Sequence, residues 1–305
     1  MDRIKIAIQK KGRLHEDTIL MFKNAGFRFT KDSTGFVMPC ENADFDLILL
    51  RDDDIPTVVA SEHGCELGIV GKNTWWEDVC EDNYHNASNL SAKVANFIEN
   101  SSKILKELPF GKCKLSLAGN KKLSIEDLKG KKVATSYYYT LSDYWDKASS
   151  NFNFPLVTIN LKGSVEIAPK LGIADAICDL VSSGMTLKEN DLVEGETILE
   201  STAILIGHKN FDTTNKTYQR IIESIEDSTS AKNMKYIMFN CKEENLPKIM
   251  NIIDFVESPT VMNLAQEGMK AVHVMCKEDD FWNVHVELKK SGATSILIMS
   301  VDKVV

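Results

Sequence analysis

The hydrophobic period of this chain switches from strand to helix and back within its first part, and that alternation limits the fold more than any other feature. Ile4, Ile6 and Ile8 alternate with polar or small residues, the period of a strand. Leu14, Thr18, Met21 and Ala25 then recur at helical spacing, and Gly26 is a suitable stop. FDLILL (45–50) reads as a buried strand. Asp53 or Asp54 can cap a helix that carries Pro56 in its first turn. ELGIV (66–70) is a further short strand ending at Gly71. Strand, helix and strand in this order predict an α/β layer with parallel strands.

Residues 82–104, rich in Asn and Ser, read as a polar surface excursion with room for a short helix. A second α/β segment follows, with strands expected at 113–118, 132–135, 156–161 and 175–180. The last stretch has its own order: strand (234–240), helix (246–253), two strands (258–265 and 270–276), helix (281–290) and strand (294–300). That βαββαβ order is the split βαβ of ferredoxin-like domains.

At about 100–200 residues per domain, 305 residues suggest two or three domains. The 36 Lys+Arg against 44 Asp+Glu give a net charge of −8, which argues against bulk nucleic-acid binding. No run of about 18 apolar residues is present, so no membrane span is expected. The segment MDRIKIAIQK does not fit the apolar core of a signal peptide. The seven cysteines form no CxxC pair and are expected to be reduced thiols of a cytoplasmic protein. No histidine–cysteine spacing suits zinc. Trp75 and Trp76 are expected to pack rather than stack on a base. The lysines at 112, 114, 121, 122, 129, 131 and 132 are expected to form a solvated face.

Chemistry concentrates between Glu166 and Leu187. A strand ends there in Ser182, Ser183, Gly184, Met185 and Thr186, followed by a helix start. Hydroxyls, a permissive glycine and unpaired helix-start N–H groups suit a phosphate dianion without a lysine. Asp175 and Asp179 precede the loop, where carboxylates suit the hydroxyls of a phosphate-bearing ribose. Taken alone, SSGMT also fits an ordinary capped helix.

The full span is more specific. The spacing of Glu166, Gly172, Ala174, Ile177, Asp179, Leu180, Ser183, Gly184, Thr186 and Leu187 resembles the signature of the ATP phosphoribosyltransferase family, which opens histidine biosynthesis. IAIQKKGRL (6–14), RDDDIP (51–56), LGIVGKN (67–73), FGKCKLSLA (110–118), GKKVATSY (130–137), GSVEIAP (163–169), ESPTV (257–261) and GATSILI (292–298) extend the resemblance along the chain. It is to the long form, with a C-terminal regulatory domain.

The resemblance implies transfer of phosphoribose from 5-phosphoribosyl 1-pyrophosphate (PRPP) to N1 of the adenine of ATP, with Mg2+ required. It implies a two-lobed, periplasmic-binding-protein-like α/β core, which the chain crosses twice, followed by a ferredoxin-like (ACT-like) domain. The expected boundaries are 1–107 and 193–228 for the first lobe, 108–192 for the second and 229–305 for the regulatory domain. Histidine is expected as the inhibitor, and the assembly as a hexamer built from dimers. By the motif match, Ser182 to Thr186 hold the 5-phosphate, Asp179 and Asp175 face the ribose, and Glu166 lies in the cleft. Lys10, Arg13 and Arg51 are candidates for nucleotide or phosphate groups, and Gly71 for close backbone approach to a ligand. Ser258 and Thr260 are effector candidates. Mg2+ is expected to ride on the diphosphate and water, with no protein ligand assigned.

Two departures stand out. Tyr138 occupies the place of a proline usual in the family, and the arginine or lysine expected nearby is not evident. The strand near Gly35 lacks an arginine common in the family. A catalytically inactive regulatory homologue and a two-lobed solute-binding protein are therefore the alternatives; the second would carry an export signal.

Overall fold

The computed structural model describes residues 3–30, 32, 35–86, 102–148, 154–182, 184–231, 234–256 and 258–301, with the side chains of 82–86 left out. Most of the polar excursion, and Ser183, lie outside these residues.

Ile4–Gln9 (β1) is followed by Arg13–Asn24 (α1), Val37–Pro39 (β2), Phe45–Leu50 (β3), Ile55–Ala60 (α2), Leu67–Gly71 (β4), Lys72–Asn86 (α3) and Ser102–Glu107 (β5). The helical face predicted for α1 is real: Thr18, Met21 and Ala25 are buried, and Gly26 ends the helix at φ 89°. β1 runs parallel to both β3 and β4. β3 buries Phe45, Leu47 and Leu49 while its alternate residues are only half-buried, because it lies next to the short outer strand β2. Asp54 takes the N-cap position of α2 without a side-chain cap bond, and Pro56 supplies its first turn.

The second lobe comprises Cys113–Gly119 (β6), Lys132–Thr135 (β7), Tyr138–Ala148 (α4), Val157–Asn160 (β8), Ala176–Val181 (β9), Met185–Glu189 (α5) and Val193–Ser201 (β10). Ala203–His208 (β11) then returns to the first sheet, which has the order β2-β3-β1-β4-β11-β5; the second has the order β10-β6-β9-β7-β8. The expected boundary at residue 193 is therefore corrected. β10 pairs antiparallel with β6 from Ser201↔Cys113 to Val193↔Gly119, so the return crossing falls at Thr202. Core forms on both faces of the second sheet. Leu115, Leu117, Val133, Leu141 and Trp145 cluster on one side, and Ala118, Ala134, Ile177, Val181 and Leu187 on the other.

The chain divides into two compact units. Both sheets above belong to the unit of Met1–Leu20 and Phe27–Thr217. The other comprises Met21–Gly26 and Tyr218–Val305. Lys216–Ala231 (α6) buries Tyr218, Ile221, Ile225 and Ala231. This unit continues with Met234–Lys242 (β12), Leu246–Ile252 (α7), Thr260–Asn263 (β13), Met269–Lys277 (β14), Glu278–Lys290 (α8) and Thr294–Ser300 (β15). The predicted βαββαβ order is confirmed in the antiparallel sheet β13-β14-β12-β15, the ferredoxin-like arrangement. Ile237, Phe239, Val272, Val274, Phe281 and Leu288 form its core.

Candidate active site

In open α/β sheets, ligands gather at the carboxyl ends of parallel strands. In the first lobe, β1 leads to Lys10 and Arg13, β3 to Arg51 and β4 to Lys72. Lys10, Arg13 and Arg51 are all exposed. Lys10 places its Nζ 3.9 Å from the ring centroid of Phe36, a cation–π contact that directs the charge. Arg13 lies near enough to Cys113, the first residue of β6, to favour its thiolate. One cation of the first lobe is thus within electrostatic reach of the second.

In the second lobe, β9 carries Asp179 toward its carboxyl end. Burial raises the carboxyl of Asp179, the Leu180 N–H donating at 2.8 Å opposes that shift, and the nearby Glu166 charge adds to it. Asp179 and Glu166 are therefore within electrostatic reach of each other. Asp175 does not join them. It precedes the strand, about 13 Å back along it at strand rise, and accepts the Lys132 N–H at 2.8 Å. Its carboxylate ties the start of β7 to that of β9, so the ribose assignment of Asp175 is withdrawn.

Beyond β9, Ser182 is exposed and Gly184 occupies the N-cap of α5 at φ 71°, a conformation that favours glycine. Met185 and Thr186 open the helix and are exposed, while Leu187 anchors it in the core. The first N–H groups of a helix have no intrahelical acceptor, so this turn presents donors beside two hydroxyl residues.

Gly71 has a different use from the one expected. A Cβ there would lie 2.5 Å from Asn73 Oδ1, so the missing side chain makes room for Asn73 rather than for a ligand. Asn73 is buried. Its backbone N–H donates to Ser201 Oγ at 3.0 Å, Ser201 Oγ–H donates to its Oδ1 at 2.8 Å, and its Nδ2 donates to the Tyr137 hydroxyl at 3.0 Å. Tyr137 comes from the second lobe. Burial raises its hydroxyl well above the usual tyrosine range; the Asn73 bond opposes this, and Asp179, Asp52 and Cys113 add to it. Tyr137 therefore marks where carboxylates of both lobes converge.

A cavity of about 510 Å³ opens beside this point, lined in part by Lys72, Lys112, Cys113, Lys114, Ser182 and Thr202. Two lysines of the supposed solvated run thus reach the cleft. Lys72 pairs with Glu107 at 3.1 Å and Lys114 with Glu194 at 3.3 Å. Sequence reasoning passed over Asn73, Ser201, Lys72 and Tyr137. The available signals were the GKN triplet directly after a strand and the tyrosine directly after β7. Trp75 packs as expected, buried, with Nε1 donating to Ser102 Oγ at 3.0 Å.

Within the other unit, Ser258 and Thr260 are both exposed, at the start of the edge strand β13. Thr260 pairs with His273, whose Nδ1 lies 2.7 Å from the Tyr236 hydroxyl.

Two α/β lobes joined by two crossings, with basic residues, paired carboxylates and a Ser–Gly turn at the strand ends, define a class of small-molecule enzyme that handles anionic, sugar-bearing substrates. Residues 51–227 match the family model described as ATP phosphoribosyltransferase, and residues 231–303 match that described as HisG, C-terminal domain. An ATP phosphoribosyltransferase of Phocaeicola vulgatus is 36% identical over 306 residues, covering 99% of both chains. One from Bacteroides thetaiotaomicron is 35% identical over the same length and coverage. Among solved structures, the ATP phosphoribosyl transferase (HisG:HisZ) complex from Thermotoga maritima aligns with a TM-score of 0.55 and 25% identity. That alignment covers 73% of this chain and 98% of the other. The chain belongs to the ATP phosphoribosyltransferase family, in its long form with a C-terminal domain. Among the described residues, no helix is long and apolar enough to cross a membrane.

Proposed function

We propose that the cleft of the two-lobed unit joins ATP to PRPP, the first step of histidine biosynthesis. The N1 lone pair of adenine forms the bond to C1 of the ribose. The C1–O bond breaks, its pair stays on the diphosphate oxygen, and pyrophosphate leaves. Displacement at an anomeric carbon has an oxocarbenium-like transition state, so positioning and charge stabilisation outweigh acid–base work. Ser182, Ser183, Gly184, Met185 and Thr186 hold the 5-phosphate. Asp179 and Glu166 accept hydrogen bonds from the ribose hydroxyls and favour positive charge at the ring. Arg13, Arg51 and Lys10 attract the anionic groups of the nucleotide.

Among the described residues, no three His, Cys, Asp or Glu side chains gather to cage a metal. The raised Asp179 carboxyl beside Glu166 suits a cation that keeps most of its ligands on diphosphate and water. Bound Mg2+ supplies charge neutralisation of the leaving diphosphate. The remaining parts of the reading are a regulatory domain that binds histidine at Ser258 and Thr260, a hexamer built from dimers and a cytoplasmic location.

The observation that carries the reading is the half-buried Asp179, its carboxyl raised by burial and by the nearby Glu166 charge, separated by two residues from the Ser182–Thr186 turn. The test mixes the protein with ATP, PRPP, Mg2+ and pyrophosphatase and follows the absorbance of phosphoribosyl-ATP. Product formation that needs both substrates supports the reading; no product overturns it.

A further inference from the structure

Helix α4 lacks a cap of its own. Its N-cap position is Tyr137, a residue type with no short acceptor side chain to reach the first helical N–H groups. The acceptor comes from the other lobe. Glu77, on α3, takes the Tyr139 N–H on Oε1 at 2.9 Å and the Thr140 N–H on Oε2 at 2.8 Å. Both oxygens of one carboxylate thus engage the positive end of a helix that belongs to the second sheet. One turn earlier on α3, Asn73 holds the Tyr137 hydroxyl at 3.0 Å. One residue before Glu77, the Trp76 ring receives Lys147 of α4, with Nζ 5.6 Å from the centroid. The first lobe thus grips residues 137–140 along one helix face.

We propose that Glu77 is a positioning residue for phosphoribosyl transfer: by capping α4 from the opposite lobe, it holds Tyr137 against Asn73 and keeps the two lobes in their reactive register. The proposal rests on the reading of the cleft given above. Wild-type turnover tests that reading separately, since the proposal concerns only the ratio of variant to wild type. Glu77 does not touch the reacting atoms, so its loss acts on the population of the joined lobes. Two bound substrates restore the lobe contact at their own expense in affinity, which separates this role from general loss of structure.

The experiment compares Glu77→Gln with wild type. In the variant, kcat should stay within about twofold, because saturated enzyme has both lobes joined by substrate. The KM for ATP and that for PRPP, each measured at subsaturating partner, should both rise at least about fivefold. Unchanged KM values, a rise for one substrate alone, or a fall in kcat at constant KM would overturn the proposal. Hydrogen exchange on wild-type enzyme provides a measurement that needs no variant. Tyr139 and Thr140 amides should be protected without substrates and exchange no faster than Leu141, whose N–H is bonded within its own helix to Tyr137. Rapid exchange of those two amides would equally overturn it.

Discussion

Asn73 and Ser201, 128 residues apart, satisfy each other at the crossing between the lobes. The Asn73 N–H donates to Ser201 Oγ at 3.0 Å, and Ser201 Oγ–H returns a bond to Asn73 Oδ1 at 2.8 Å. Both residues are buried, so neither has water as a substitute partner. The pair fixes the start of α3 to the end of β10, and through Asn73 Nδ2 it fixes Tyr137.

Ser201→Ala leaves a buried N–H and a buried amide oxygen without partners. Such a loss costs about 1–3 kcal/mol. The urea midpoint should fall accordingly at an unchanged slope, and kcat/KM should fall with it. A variant as stable and active as wild type would remove the pair from any organising role.

Asp179→Asn should separate stability from function. Burial first, and then Glu166, hold the Asp179 carboxyl above its ordinary range despite the Leu180 N–H. With a folded value raised above the unfolded one, the stability contributed by this group is complete at low pH. It is lost as pH rises through the folded value. The neutral variant should therefore melt higher than wild type at pH 8, with the gap closing below about pH 4. Its kcat/KM should fall at least about tenfold. Identical melting at both pH values would contradict the charge argument.

Thr186→Ala removes a hydroxyl that the proposed reading assigns to the 5-phosphate. A hydrogen bond to a charged group contributes about 1.5–3 kcal/mol, so the PRPP constant should weaken at least about tenfold, with that for ATP little changed. An unaltered PRPP constant would displace the phosphate from this turn.

The thiols should differ in reactivity. Cys113 is the one partly exposed cysteine and lines the cavity with Ser182; the other six are buried. Burial pushes the Cys65 thiol up to about 11 and that of Cys80 up to about 12. Cys113 is also raised by burial, but its bond to Ser201 and the nearby Arg13 oppose that shift. Mass spectrometry after iodoacetamide treatment at pH 8 should find Cys113 modified first, and PRPP should slow it. Equal labelling of Cys65 would contradict the burial described.

Thr260→Ala should leave kcat unchanged and raise the histidine concentration for half-inhibition at least about threefold, the size of one weakened hydrogen bond. If inhibition is untouched, the effector contacts lie elsewhere in the C-terminal unit.

Much of the fold was legible along the chain. The face of α1, the stop at Gly26 and the βαββαβ order of the last unit all follow from short-range periodicity and glycine conformation. The Glu166–Leu187 stretch was legible because a strand end, a permissive glycine and a helix start must be consecutive to form such a turn. Other features were not. Asp175 and Asp179 share a face by strand alternation, yet Asp175 precedes the strand and is taken by the Lys132 N–H. Gly71 looked like a place for a ligand until Asn73 was seen to fill its space.

Local chemistry, expressed over a few residues, thus decided which segments became strands and where helices stop. The sheet that β10 joins, the unit that claims α6 and the carboxylate that caps α4 depended on pairings between segments far apart in the chain. Those pairings are settled by complementary burial and hydrogen bonding in three dimensions, as when Glu77 finds two backbone N–H groups more than sixty residues away. No periodicity within either segment encodes such a partner, because each half is an ordinary helix residue until the two lobes meet.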